Sequence, residues 1–170
     1  EGSTMTEAQK SRCPECRQEV PTTDEEEVEQ TRAWANKGKA WAQTSLACSY
    51  QFSVGVPQSY NEAFRYLNMA VKQGDPNAMY DLAGLYDQGR GVTQSFEKAA
   101  ELFALAANQG HATAQCYLGT CYENGEGVVQ SNEKAVELYT LSANQGNAGA
   151  QFRLGGAFGD GNGVAQSNDM

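Results

Sequence analysis

The chain repeats itself with a period of 36 residues, and this period constrains its fold more than any other feature. The segments that start at Ala78 and Ala114 share most of their alanine, leucine, tyrosine and glycine positions, and the same phase recurs from Ala42 and from Ala150. A fixed period of this length is typical of stacked helical arrays, in which each unit buries its apolar face against its neighbours. Such arrays present extended surfaces that bind other proteins. The period therefore favours a protein-binding array over an enzyme.

Each repeat has the pattern of two helices joined by a glycine-rich turn. In the first helix, Ala78, Leu82 and Leu85 follow the i, i+4, i+7 spacing of an amphipathic helix. The second helix is preceded in each repeat by a serine whose hydroxyl can cap free N–H groups, and these residues are Ser59, Ser95 and Ser131. It ends at a glycine suited to the position after a helix, and these glycines are Gly74, Gly110 and Gly146. The pattern predicts an all-α fold of helix pairs.

The register of the repeat also predicts the organisation of the chain. Residues 1–23 form an extended tail, and residues 24–170 form the array. The predicted units of the array are a half repeat at 24–41, full repeats at 42–77, 78–113 and 114–149, and a partial repeat at 150–170. Incomplete units expose apolar faces that stacking normally covers. We therefore expect either a piece of a longer array or end-to-end self-association.

The repeated motif resembles a known family. It consists of A-x-x-x-L-G/A, an aromatic residue, G-x-G-V, an alanine-rich helix and a closing N-Q-G, and it closely resembles the Sel-1-like repeat, a relative of the tetratricopeptide repeats. The resemblance covers about residues 24–170. It implies a right-handed alpha-alpha superhelix (a solenoid) of antiparallel helix pairs, and a scaffold or adaptor that holds partner proteins together. Some secreted bacterial members bridge the two helices of a repeat with cysteines, but no repeat of this chain has a cysteine in both helices.

The net charge and the cysteine content indicate the class of partner and the cellular compartment of the protein. The formal net charge is −9, which argues against binding to nucleic acid or to an anionic membrane surface. No apolar run approaches the roughly 20 residues needed to span a bilayer. The expected partner is therefore a protein or peptide. The five cysteines are an odd number without a regular pairing pattern, which favours a reducing compartment and predicts a cytoplasmic or nuclear location.

Two of these cysteines lie in the tail, outside the repeat. The segment Cys13-Pro-Glu-Cys16, followed by arginine, resembles the last ligand pair of a RING-type zinc finger. Zinc needs four ligands, and the only histidine, His111, lies within the array. We therefore predict no cofactor for this chain, and zinc at Cys13 and Cys16 only in a longer parent protein. The alternative function is the substrate-recruiting part of a RING-type E3 ubiquitin ligase.

Variation among the repeats indicates the residues that contact a partner. First helices line the concave side of curved helical arrays, and positions that vary there are free of the packing rule. Two adjacent positions of the first helix vary in this way, and tyrosine and arginine, which are common in binding hot spots, occur at them. The predicted contact residues are Thr44, Ser45, Tyr80, Asp81, Cys116, Tyr117, Phe152 and Arg153.

No catalytic residues are predicted. His111 occupies the position held by Asp75 and Asn147 in the neighbouring repeats, which indicates a role at the helix junction. Cys116 and Cys121 are interpreted as packing residues, because a free cysteine behaves as a small hydrophobe. A nucleophile built from Cys116 and His111 would lack a recognisable orienting group, so a hydrolase is the weakest hypothesis.

Overall fold

The computed structural model describes residues 23–159, and these residues form a purely helical array. The eight helices of this region are α1 (Asp24–Asn36), α2 (Ala40–Phe52), α3 (Tyr60–Val71), α4 (Pro76–Gln88), α5 (Phe96–Asn108), α6 (Ala112–Asn124), α7 (Asn132–Asn144) and α8 (Ala148–Gly159). Each helix packs against the helix before it and the helix after it. Helices α2, α4, α6 and α8 are the first helices of successive repeats, and α1, α3, α5 and α7 are the second helices. The all-α prediction is confirmed, whereas Cys13, Cys16 and residues 160–170 lie outside the described region.

Side-chain caps begin the second helices, as the sequence predicts. The hydroxyl of Ser59 accepts a hydrogen bond from the N–H of Glu62, and the hydroxyls of Ser95 and Ser131 do the same for the residues three positions on. Thr23 caps α1 in the same way. These bonds satisfy N–H groups that have no partner within the helix.

Three of the first helices, α4, α6 and α8, begin at a capping residue at the junction between repeats. The Nδ1 atom of His111 accepts a hydrogen bond from the N–H of Ala114 at 3.0 Å, and Asp75 and Asn147 cap α4 and α8 with their side-chain oxygens. The prediction that His111 serves a helix junction is therefore confirmed.

The loop inside each repeat lies on the start of the second helix of the preceding repeat. Gly127 has a φ of 71°, and a Cβ atom placed on it would collide with the carbonyl of Phe96 and lie 2.7 Å from the N atom of Glu97. Gly55 and Gly91 make the same close approach to the starts of α1 and α3. The second glycine of each turn is therefore required by its neighbour as well as by its own backbone conformation.

Alanine and leucine side chains fill the space between the helices. Leu46, Leu67 and Leu85 are almost fully buried in the N-terminal half, and Phe103 and Tyr139 are buried in the following repeats. In α6 the small residue that follows the leucine allows close approach: a Cβ atom on Gly119 would lie 2.6 Å from the ring of Tyr139. The valines after the turns, Val56, Val92 and Val128, pack against these clusters.

In each of two repeats, a hydrogen-bonded pair of glutamine side chains connects neighbouring helices. The side-chain amide of buried Gln115 donates to the carbonyl of Ala107 at 3.2 Å, and Gln145 donates to the side-chain oxygen of Gln115 at 2.8 Å. Gln43 and Gln73 form the same arrangement with the carbonyl of Ala35. We call this arrangement the glutamine clasp. It ties a first helix to the second helices on both sides of it.

Candidate protein-binding groove on the first helices

An open groove runs across the exposed side of three first helices. One cavity of about 660 Å³ is lined from α2 by Trp41, Thr44 and Cys48. Its other side is lined by Asp75 at the start of α4, by Tyr80 and Asp81 of α4, and by His111 at the start of α6. A second cavity of about 160 Å³ is lined mainly by Phe52, Tyr80, Asp81, Gly84, Asp87, Arg90 and Tyr117. Tyr80 and Asp81 line both cavities, so the two are adjacent. We call this surface the first-helix groove.

Two carboxylates of the groove are bound to neutral donors. The Thr44 hydroxyl donates to Asp75 Oδ2 at 2.7 Å, and the Cys48 thiol donates to Asp81 Oδ2 at 3.4 Å. Burial raises the pKa of Asp81 above its usual value; the Cys48 hydrogen bond opposes this rise, and the nearby charge of Asp75 adds to it. Burial, and then the charge of Asp81, raise the pKa of the Cys48 thiol to about 12. Among residues 23–159, no lysine or arginine forms an ion pair with Asp75 or Asp81.

An aromatic cluster forms the centre of the groove. The ring of Tyr80 stacks on His111 at 5.0 Å and meets the edge of Tyr117 at 5.6 Å, while Tyr117 stacks on buried Phe103 at 5.3 Å. Burial lowers the pKa of His111 and raises the pKa of Tyr80, so both rings are neutral near pH 7. Contacts of this kind hold aromatic side chains in place before a partner arrives. Tyr117 nevertheless remains 45% exposed.

Phe152 and Arg153 lie apart from this groove. They line a separate cavity of about 340 Å³ between α6, α7 and α8. Arg153 Nη1 lies 2.9 Å from Glu123 Oε2, and the Tyr139 hydroxyl donates to the same oxygen at 2.7 Å. Arg153 is therefore engaged in packing α8 onto the array. Phe152 is 84% exposed.

The structure brings some of the predicted contact residues together and separates others. Thr44, Tyr80, Asp81 and Tyr117 line the first-helix groove. Thr44 and Cys116 are both buried, so they offer a partner little surface. Ser45 is exposed but, like Cys116, lines none of the three cavities.

Several groove residues were missed by sequence reasoning. Trp41, Cys48 and Phe52 lie on the same side of α2, at positions i, i+7 and i+11. Their spacing along one helix face would have indicated them, because residues three, four and seven apart share a face. The periodicity of a single helix could not indicate Asp75, since it meets Thr44 from 31 positions away.

The geometry around the cysteines does not favour a nucleophile. Burial raises the pKa of Cys116, which disfavours the reactive thiolate. His111 already uses Nδ1 to cap α6. Within residues 23–159, no three histidine, cysteine, aspartate or glutamate side chains are grouped to hold a metal ion. None of the helices in that region is long and apolar enough to cross a membrane.

Comparison with known proteins assigns the fold to a family. The family described as Sel1 repeat matches residues 42–75, 76–111, 112–147 and 148–170. The chain belongs to the Sel1 repeat family. The second, third and fourth matched segments begin at the first residues of α4, α6 and α8. These starts lie two positions before Ala78, Ala114 and Ala150, at which the repeats predicted from the sequence begin. Sel1 repeats mediate protein–protein interactions and typically form non-enzymatic scaffolds.

Solved structures share this fold, a helical repeat solenoid. A Sel1 repeat protein from Oxalobacter formigenes superposes with a TM-score of 0.80 at 26% identity, over 86% of this chain and 58% of its own. The antigen c5321 of uropathogenic Escherichia coli, which displays an SLR fold, gives 0.79 at 33% identity, over 83% of this chain and 30% of its own. Helicobacter pylori cysteine rich protein B gives 0.64 at 21% identity, over 78% and 98%, and shows the fold alone.

The chain is thus shorter than its first two structural relatives, of which it spans 58% and 30%. No curated protein sequence matches it significantly.

Proposed function

We propose that this Sel1 repeat chain is an adaptor that binds an extended segment of a partner protein in the first-helix groove. The groove crosses three repeats, so one extended segment would contact α2, α4 and α6 in turn. A formal net charge of −9 makes nucleic acid an unsuitable ligand. The partner is therefore a protein or peptide.

The exposure of aromatic side chains on one side of the first helices carries this proposal. Trp41 is 58% exposed and Phe52 67% exposed, and both line the groove beside Tyr117. Clustered exposed apolar side chains on a folded protein mark interaction sites, and aromatic residues dominate binding hot spots. The repeat itself does not require these residues, because other types occupy the equivalent positions of the other repeats.

Affinity capture from the source cell tests the proposal. Wild-type chain, Trp41→Ala and Tyr117→Ala are compared with the control Leu105→Ala, which removes a half-exposed side chain of α5 that lines none of the three cavities. We expect a partner that is recovered by the wild type and the control and is depleted at least tenfold with both groove variants. Equal recovery with all four proteins would contradict the proposal.

The RING-type alternative depends on Cys13 and Cys16, which lie outside the described residues. In that case the array would recruit the substrate of an E3 ubiquitin ligase in the cytoplasm or nucleus, and zinc would be bound by the longer parent protein. Zinc analysis of that longer protein is the test, and a preparation without zinc would rule the alternative out.

End-to-end self-association is a further candidate, favoured by one observation. Phe152 is 84% exposed at the edge of a cavity of about 340 Å³, whereas the equivalent Cys116 is buried in a cluster with Ala135, Tyr139 and Ala150. A second copy could cover Phe152 in the same manner. Sedimentation of the wild type and Phe152→Ser at several concentrations tests this: association that the substitution leaves unchanged would refute it.

A further inference from the structure

We propose that the first-helix groove selects a partner segment that carries an arginine or lysine, whose side chain enters the cavity above Gly84 and meets the Asp81 carboxylate. This inference rests on the proposed function and specifies the chemistry of its partner. It is carried by the shape of the cavity, the rings around it and its charge.

The cavity has room for a ligand because a glycine of α4, which has no side chain, forms part of its lining. Gly84 lies in the middle of α4, and a Cβ atom placed on it would have no atom within 4 Å. The cavity of about 160 Å³ has room for about five water molecules. That volume suits one long side chain of a partner.

Aromatic rings form its walls. Phe52, Tyr80 and Tyr117 line the cavity, and none of the three has a cation over its ring among residues 23–159. Elsewhere the chain supplies its own cations to tyrosines: Lys98 lies 5.1 Å from the ring of Tyr86, for example. His111 stacks on Tyr80 and Phe103 stacks on Tyr117, so the ring of Phe52, which is 67% exposed, is the one most open to a cation from outside. A ring attracts a cation positioned over its face.

Two carboxylates give the cavity its charge. Asp81 and Asp87 both line it, and burial raises the pKa of each carboxyl group. Neither forms an ion pair with a lysine, arginine or histidine of residues 23–159. Arg90 is the one basic residue of the lining, and its guanidinium group lies 5.8 Å from the ring of Tyr60. An incoming cation would therefore compensate two half-buried negative charges, whereas an acidic side chain would be repelled.

Three probe peptides test the selection directly. They have the sequence acetyl-Ala-Tyr-Ala-Xaa-Ala-Tyr-Ala-amide, in which Xaa is arginine, its uncharged analogue citrulline, or glutamate. Binding to the whole chain is measured by calorimetry at low salt. We expect the arginine peptide to bind about tenfold more tightly than the citrulline peptide, and the glutamate peptide to bind most weakly.

Two variants and one control locate the effect. Asp81→Asn keeps the shape of the side chain and should remove the tenfold preference for arginine over citrulline. Gly84→Leu fills the cavity and should weaken both peptides, yet it should unfold at the same or a higher temperature, because leucine favours a helix over glycine. Glu101→Gln removes one exposed charge of α5 outside the groove and should leave the preference intact.

Each result that contradicts the inference is distinct. Equal binding of all three peptides, weakened by Gly84→Leu, would overturn the charge selection and leave the groove as a peptide site. Equal losses in Asp81→Asn and Glu101→Gln would show attraction by net charge alone and overturn it. Displacement of the arginine peptide by an equal concentration of spermidine would overturn the choice of a peptide ligand. If no peptide binds, the selection is refuted, while the capture experiment still decides the proposed function.

Discussion

The stacking of each loop on the preceding second helix predicts unequal effects of two similar glycine substitutions. Gly110 and Gly127 have positive φ values of 84° and 71°, but a Cβ atom would meet nothing within 4 Å at Gly110 and would collide with the Phe96 backbone at Gly127. Gly110→Ala therefore costs only the left-handed conformation, about 1 kcal/mol. Gly127→Ala costs the same plus a displacement of the backbone, about 3 kcal/mol in total.

Urea unfolding followed by far-UV circular dichroism measures both losses. In thermal unfolding of a chain of this size, the same losses of free energy correspond to decreases in melting temperature of about 2–4 °C for Gly110→Ala and about 6–12 °C for Gly127→Ala. Asparagine tolerates positive φ, so Gly110→Asn should recover most of the loss whereas Gly127→Asn should not. Equal destabilisation by the two alanine substitutions would refute the stacking of the loop on α5.

Three further predictions concern the clasp, the groove and the end of the array. Gln115→Met should cost about 1 kcal/mol in urea unfolding, because the Ala107 carbonyl loses its donor although methionine fits the same position elsewhere; an unchanged midpoint would contradict the clasp. Folding raises the pKa of Asp81, so the protonated carboxyl group favours the folded state, and this stabilisation is lost as the pH rises from 3.8 through the raised pKa. Asp81→Asn should therefore match the wild type in acid and be the more stable protein at pH 7. Parallel stability curves of the two proteins across that range would refute this. Tyr139→Phe should cost about 1 kcal/mol in thermal unfolding, because Glu123 loses the Tyr139 hydroxyl as a donor; a loss near zero would show that this bond adds nothing.

The 36-residue period and the ends of the helices could be predicted because they depend on local chemistry. A serine before an apolar-periodic stretch and a glycine after it specify the two ends of a helix, and the structure places both where the sequence predicts them, as at Ser95 and Gly110. The junction role of His111 follows from its equivalence to Asp75, because both residues cap the helix that begins after them.

The details of the groove could not be predicted because they arise between helices that are far apart in the sequence. The variation of Thr44 among the repeats predicts partner contact, but its hydroxyl donates a hydrogen bond to Asp75, the N-cap residue of α4. The clasp of Gln115 and Gln145 joins residues 30 positions apart, and neither lies on the apolar stripe that predicts the core. Phe52 differs in this respect, because it is the last residue of α2 and shares a helix face with Trp41 and Cys48, a local spacing that the sequence contains.

Site-specific photo-crosslinking in the source cell tests the central claim most directly, because it captures whichever protein lies against the chosen position. A benzophenone amino acid is introduced at Tyr117, which lines the groove, or at Leu141, a half-exposed residue of α7 that lines none of the three cavities. We predict a crosslinked partner band from position 117 that is absent from position 141. A partner that crosslinks equally from both positions, or only from position 141, would contradict binding in the first-helix groove.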